Sequence, residues 1–167
     1  MEIAFFDRGP INAKELVTGG YWSAYWYNGR IYGSEIARGI DVFRLIPSEF
    51  LSKNEIDAAI LARTNELNVQ DQQRVSWPAT SVVARAYLDQ LNRNKAIQEE
   101  RAKAVSSALD RADQLGSSRG KDAAAVVEQM DALSGQLMAD AGSATGRDAM
   151  RLRSLAETLK GRTERLR

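Results

Sequence analysis

Apolar and polar positions change rhythm partway along the chain. Up to about residue 46 they alternate in short runs broken by turn residues, and beyond about residue 52 they recur at three- and four-residue spacing. The run EIAFF (2–6), closed by the turn-prone DRGP (7–10), predicts a strand that ends there. Residues 21–27 (YWSAYWY) predict a second strand, Asn28 and Gly29 form the dipeptide of a type I′ hairpin turn, and residues 30–34 return as its partner. Residues 35–39 make the next connection, with Gly39 free to take positive φ, and residues 40–45 (IDVFRL) give another strand. The expectation is a four-strand antiparallel β meander of about 45 residues, the span of one β-propeller blade.

Within residues 21–27, strict alternation places Tyr21, Ser23, Tyr25 and Tyr27 on one face and Trp22, Ala24 and Trp26 on the other. Both faces then carry large rings, and both call for cover. A small sheet is marginal by itself, so this region reads as the end of something larger.

The second rhythm is helical. Ser52 and Glu55 have the spacing of a capping box and open a helix with Ile56, Ala59, Ile60 and Leu67 on one side. The polar stretch 67–79, with Pro78, breaks it. A helix over 81–92 follows, with a kink near Arg93 and Asn94 before a longer helix over 95–115. GSSRG (116–120) is a stop, residues 122–140 carry Val126, Met130, Leu133 and Leu137, and residues 141–146 turn the chain into a last helix over 147–166. Short connections between amphipathic helices predict an antiparallel α-helical bundle rather than a coiled-coil oligomer. The fold class is α+β, with residues 1–46 as the β element, 47–80 as a connecting helix and linker, and 81–167 as the bundle.

Composition narrows the chemistry. The 167 residues include no His and no Cys, which removes thiolate and imidazole metal sites, cysteine nucleophiles, Ser-His-Asp triads and disulfides. Lys+Arg 23 against Asp+Glu 22 gives a net charge of +1, with no global attraction to nucleic acid or anionic lipid. The uncharged stretch from Leu16 up to Arg30 is too short and too polar to span a bilayer. Met1 followed by Glu2 lacks the basic and apolar regions of a secretory signal. No phosphate-cradling motif is present, because Gly19 and Gly20 lack the helix and Lys of a P-loop. From Ala141 onward seven basic residues face three acidic ones, but helix C-termini favour cations anyway and no aromatic residue stands among them to stack on bases.

Candidate functional residues come from two sets. Tyr21, Trp22, Tyr25, Trp26 and Tyr27 could form a platform for sugars, bases or a protein, although large rings are more often buried. Glu35, Arg38 and Asp41 could form a polar site at a blade edge, although such trios usually orient a turn. The residues for partner contact are therefore Tyr21, Trp22, Tyr25, Trp26, Tyr27, Glu35 and Arg38. No catalytic, cofactor or metal residue is assigned.

The wording of EIAFFDRGP (2–10) and GYWSAYWYNGRIYGSEIARGIDVF (20–43) resembles the terminal repeat of the LVIVD-repeat bacterial proteins. That resemblance implies a β-propeller blade, no established enzymatic activity, and an extracytoplasmic or cell-surface setting. It also implies several more repeats upstream as the natural cover of the sheet. The helical part resembles, more weakly, the alanine-rich FIMAH tails of secreted bacterial proteins. The expected function is non-enzymatic interaction or scaffolding, with a protein partner or upstream blades as the contact, homo-oligomerisation open, and neither nucleic acid nor membrane insertion involved. Two other classes stay open: a small carboxylate-dependent, carbohydrate-active enzyme fragment, and a stand-alone helical adaptor that dimerises.

Overall fold

The structure, a computed structural model, describes residues 3–66, 68, 70, 75–116 and 121–167. An antiparallel three-strand sheet precedes five helices among those residues, which makes the fold α+β. The chain divides into two compact units, Met1–Ser76 and Trp77–Arg167.

In the first unit, β1 (Tyr21–Tyr27), β2 (Arg30–Glu35) and β3 (Gly39–Phe43) pair in the order β1-β2-β3. The hairpin turn is the one the sequence predicts, with Asn28 at φ 47 and Gly29 at φ 91. Gly39, at φ 89, opens β3 opposite Glu35. The strand expected over 2–6 is not formed, since residues 3–10 carry no strand. There the Asp7 carboxylate accepts the Gly9 N–H at 2.8 Å and turns the chain, while Phe6 packs its ring 4.7 Å from that of Phe43. Ring packing takes the place of a fourth ladder, and the meander has three strands.

Helix α1 (Lys53–Leu61) begins at the predicted capping box: the Ser52 hydroxyl accepts from the Glu55 N–H at 3.1 Å and the Glu55 carboxylate accepts from the Ser52 N–H at 2.7 Å. It buries Ile56 and Ala58, and Leu67, expected on the same side, lies outside the described residues. The segment after α1 clasps the hairpin tip. Asn28 donates from Nδ2 to the Thr64 carbonyl at 2.9 Å and accepts the Thr64 N–H at 3.0 Å, and the Tyr27 hydroxyl donates to the Asn65 carbonyl at 3.1 Å.

The second unit holds α2 (Ser81–Arg93), α3 (Glu99–Leu115), α4 (Lys121–Ser143) and α5 (Gly146–Leu166). All four helices feed one apolar core, in which Leu91, Leu109, Met130, Leu137, Leu155 and Leu159 are fully buried. Alanines at 108, 112 and 156 are equally buried and let the helices approach closely. The expected kink at Arg93 and Asn94 is a complete break. Lys95 takes φ 53, its N–H donates to the Asn92 carbonyl at 3.0 Å, and the Ala96 N–H donates to the Leu91 carbonyl at 2.8 Å. These two bonds are a Schellman closure with lysine where glycine is usual. Helix α3 therefore starts at Glu99 rather than residue 95. It ends at Leu115, before Gly116 at φ 56; the rest of the GSSRG stop, residues 117–120, lies outside the described residues. Helix α4 runs on to Ser143, past the residue 140 where the sequence pattern stopped it, leaving two residues before α5.

Candidate functional site

The chemistry-bearing residues of the first unit are sorted by the pleat of its sheet. Paired residues share a face, so Tyr27 with Arg30, Tyr25 with Tyr32 and Val42, and Ser23 with Ser34 and Ile40 form three rows on one face. Trp26 with Ile31 and Phe43, Ala24 with Gly33 and Asp41, and Tyr21 with Glu35 and Gly39 form the rows of the other.

Tyr21 thus stands opposite to where strict alternation puts it. The register slips between Tyr21 and Ser23, a β-bulge that turns Tyr21 onto the face of Trp26 and Phe43. There it lies over Gly33: a Cβ on that residue would come within 2.7 Å of the Tyr21 ring and 3.3 Å of Phe43. Glycine is required for the two rings to rest on the strand. The Tyr21 hydroxyl donates to the Asp41 carboxylate, which also pairs with Arg8 at 3.2 Å. Desolvation first, and then the bond to Asp41, push the Tyr21 phenol up to about 12.

Glu35 is 5% exposed, and its carboxylate is fully engaged by backbone donors. One oxygen accepts the Gly20 N–H at 2.7 Å; the other accepts the Ala37 N–H at 2.9 Å and the Arg38 N–H. The Gly20 bond above all, with those of Arg38 and Ala37, holds its pKa below the ordinary carboxylate value against the opposing effect of desolvation. An ionised, saturated carboxylate is equipped to staple two turns together rather than to exchange protons. Arg38 completes the staple by donating to the Arg8 carbonyl at 3.4 Å and the Gly9 carbonyl at 3.3 Å. Together with Phe6 on Phe43, these contacts lay residues 6–9 across the Tyr21 face. A cleft of about 300 Å³ remains beneath them, bounded by Phe6, Arg8, Ile11, Leu16, Glu35 and Arg38.

The other face has no such strap. Tyr25 is 42% exposed, Tyr32 37%, Val42 56% and Ile40 72%, and the Tyr27 and Tyr32 rings stand 6.3 Å apart. Tyr25, Tyr27 and Tyr32, with Asn65 and Glu66, line a shallow depression of about 580 Å³. Trp22, at the bulge, is 81% exposed, whereas Trp26 is half-buried on the strapped face.

Of the residues proposed for partner contact, the structure brings Tyr21, Glu35 and Arg38 together as parts of one strap and staple. Tyr25 and Tyr27 lie on the open face, with Trp22 at the margin of the sheet. Sequence reasoning missed Tyr32 and Arg8. The alternation of residues 30–34 carried the signal for Tyr32, whose cross-strand partner is Tyr25. Nothing local marks Arg8 as the partner of Asp41, thirty-three positions later.

Among the described residues no group of three or more His, Cys, Asp or Glu is placed to hold a metal ion. No helix among them is long and apolar enough to cross a membrane. No protein-family model, curated protein or solved structure matches the chain.

Proposed function

We propose that the chain is a non-enzymatic interaction or scaffolding module, in which a β-sheet unit supplies the docking surface and a helical unit supplies independent stability. One observation carries this reading: apolar surface and apolar core are segregated between the two units. Among the described residues, Ile56 and Ala58 are the buried apolar side chains of the first unit, and every other buried apolar side chain belongs to the second. Conversely, the large exposed apolar side chains concentrate in the first unit, and those of the second are Trp77, Met138 and Met150. A sheet that leaves Trp22, Tyr25, Ile40 and Val42 open is built to be covered.

The finer architecture belongs to the same proposal. The sheet is one blade-like element of the LVIVD type, its cover being a protein partner or preceding repeats of a bacterial cell-surface or exported protein. The helices form an antiparallel bundle. Support comes from the two-residue link between α4 and α5 and from their cross-contacts, with the Ser134 hydroxyl donating to the Ala156 carbonyl at 2.9 Å and the Thr163 hydroxyl 3.0 Å from Asp131.

The docking reading is tested by dye binding and iodide quenching on the intact chain. An apolar dye should bind, and Tyr25→Ser with Val42→Ser should abolish that binding while far-ultraviolet dichroism is preserved. A chain that binds no dye and shields its tryptophans as a monomer refutes the reading. The repeat-protein assignment is tested by the intact mass of the polypeptide that ends in Arg167 in native cells, expected far above 18.5 kDa.

A further inference from the structure

We infer that the open face of the sheet is a two-fold interface between copies of this chain, with the symmetry axis running along the row Tyr25, Tyr32 and Val42. The inference rests on the docking reading above and names its occupant for the chain as it stands.

Residues 6–9 strap one face, whereas the other leaves Tyr25, Val42 and Ile40 at 42%, 56% and 72% exposed and is the one offered to a second molecule. Its chemistry suits self-association. Of the eight strand residues on it, Arg30 alone is charged, Glu66 from the segment after α1 borders its tyrosine depression, and the central row is wholly aromatic and aliphatic. The helical unit is different, because its surface is laced with ion pairs such as Arg85 with Asp110 at 2.8 Å and Arg101 with Asp140 at 3.1 Å.

Area sets the scale. At the exposures given, Tyr25, Tyr32, Ile40 and Val42 leave on the order of 400 Å² open per copy. With Ser23, Arg30 and Ser34 at the ends of the strands, the face approaches the roughly 600 Å² per partner of the smallest specific interfaces. That predicts a weak, concentration-dependent dimer.

Charge then selects the orientation. Two sheets packed face to face can be related by an axis parallel to the strands or by one along the rows. An axis parallel to the strands sets Arg30 against Arg30 of the other copy, two like charges in a partly dried interface. An axis along the central row reverses strand direction and sets the Tyr27 and Arg30 row against the other copy's Ser23, Ser34 and Ile40 row. Each guanidinium then meets serine hydroxyls, and Tyr32 meets Tyr32.

The test uses the full chain in analytical ultracentrifugation from about 1 to several hundred micromolar, a range that brackets weak association. A monomer–dimer equilibrium is expected; Val42→Lys and Ile40→Lys, at exposed positions, should each weaken it at least about tenfold, and Met150→Lys on the helical unit should leave it unchanged. Because the chain has no cysteine, single-cysteine variants report orientation without background. Tyr32→Cys should be joined to itself by a short bismaleimide, and Ser34→Cys should be joined to Arg30→Cys in a mixture. Efficient joining of Arg30→Cys to itself overturns the orientation. A monomer at every concentration, or a dimer indifferent to Val42→Lys, overturns the interface. If that monomer still binds an apolar dye through Tyr25 and Val42, the docking reading survives and another occupant is sought; if its rings are shielded, both fall.

Discussion

Leu155→Ala probes the one part of the molecule that stands on a core of its own. Leu155 sits mid-way along α5, fully buried among side chains of a cluster fed by all four helices of the second unit. Removing three carbons from that position forfeits about 2.4 kcal/mol of transfer free energy at about 0.8 kcal/mol per methylene-sized group. The residual cavity, on the order of 70 Å³ if the site does not collapse, adds about 1.7 kcal/mol at about 24 cal/mol per Å³. The expected loss is therefore about 3–4 kcal/mol, against the roughly 5–13 kcal/mol typical of a unit this size. Urea unfolding followed by helical dichroism at 222 nm is the assay. With a slope of about 1–1.5 kcal/mol per molar, the midpoint should fall by about 2–4 M while the slope stays the same. Met150→Ala on the exposed side of the same helix should move it by under about 0.5 kcal/mol. A Leu155→Ala chain within about 1 kcal/mol of the parent would refute a single core shared by the four helices.

Three further outcomes follow from named contacts. Because the folded pKa of Glu35 is lowered from the ordinary value of 4.5, its contribution is fully present above about pH 4.5 and is lost as pH falls through the depressed folded value; acid titration should loosen the Gly20 and Arg38 turns, read as faster amide exchange there, and Glu35→Gln should remove that pH dependence. Tyr21 has the opposite sign: its pKa of about 12 against the ordinary 10 means that its contribution holds below pH 10 and fades as pH rises toward 12, so absorbance at 295 nm should show one late-titrating phenol that Tyr21→Phe deletes. Lys95 occupies left-handed backbone at φ 53 in the Schellman closure, and Lys95→Gly should raise the stability of the helical unit by about 0.5–1 kcal/mol in the same urea assay; a loss instead would show that the lysine side chain contributes more than the strain costs.

Local signals carried most of the fold into the sequence. The Asn28 and Gly29 turn, the Ser52 and Glu55 capping box and the apolar spacing of α2 through α5 each act within a few residues, where pattern and structure are the same thing. What escaped depends on geometry that no short window holds. The bulge after Tyr21 moves one ring to the other face without any change in composition, and the Arg8 pairing with Asp41 is assembled only once β3 has folded back. Residues 3–6 have a strand's composition, yet the structure uses Phe6 in ring contacts with Phe43 and Tyr21 instead of a ladder. The break at Lys95 was hidden for a related reason, since the closure uses backbone groups available to any residue willing to take positive φ.

The aromatic set shows why hydrophobic composition alone misleads about burial. In the helical unit, small residues such as Ala108, Ala112 and Ala156 bring backbones close enough for every leucine of the stripe to find neighbours, and the core closes within the unit. Three short strands have no such option. Their side chains stand on two faces, one helix and one strap are available as cover, and the strap goes to the face where Gly33 leaves room for Tyr21 and Phe43. The rings of the second face are then excess to what the unit can bury, and Tyr25 and Tyr32 stay exposed there. Among the strand residues of that surface Arg30 alone is charged, so the dimer proposed for it would draw on shape and apolar area for its affinity and on Arg30 for its orientation.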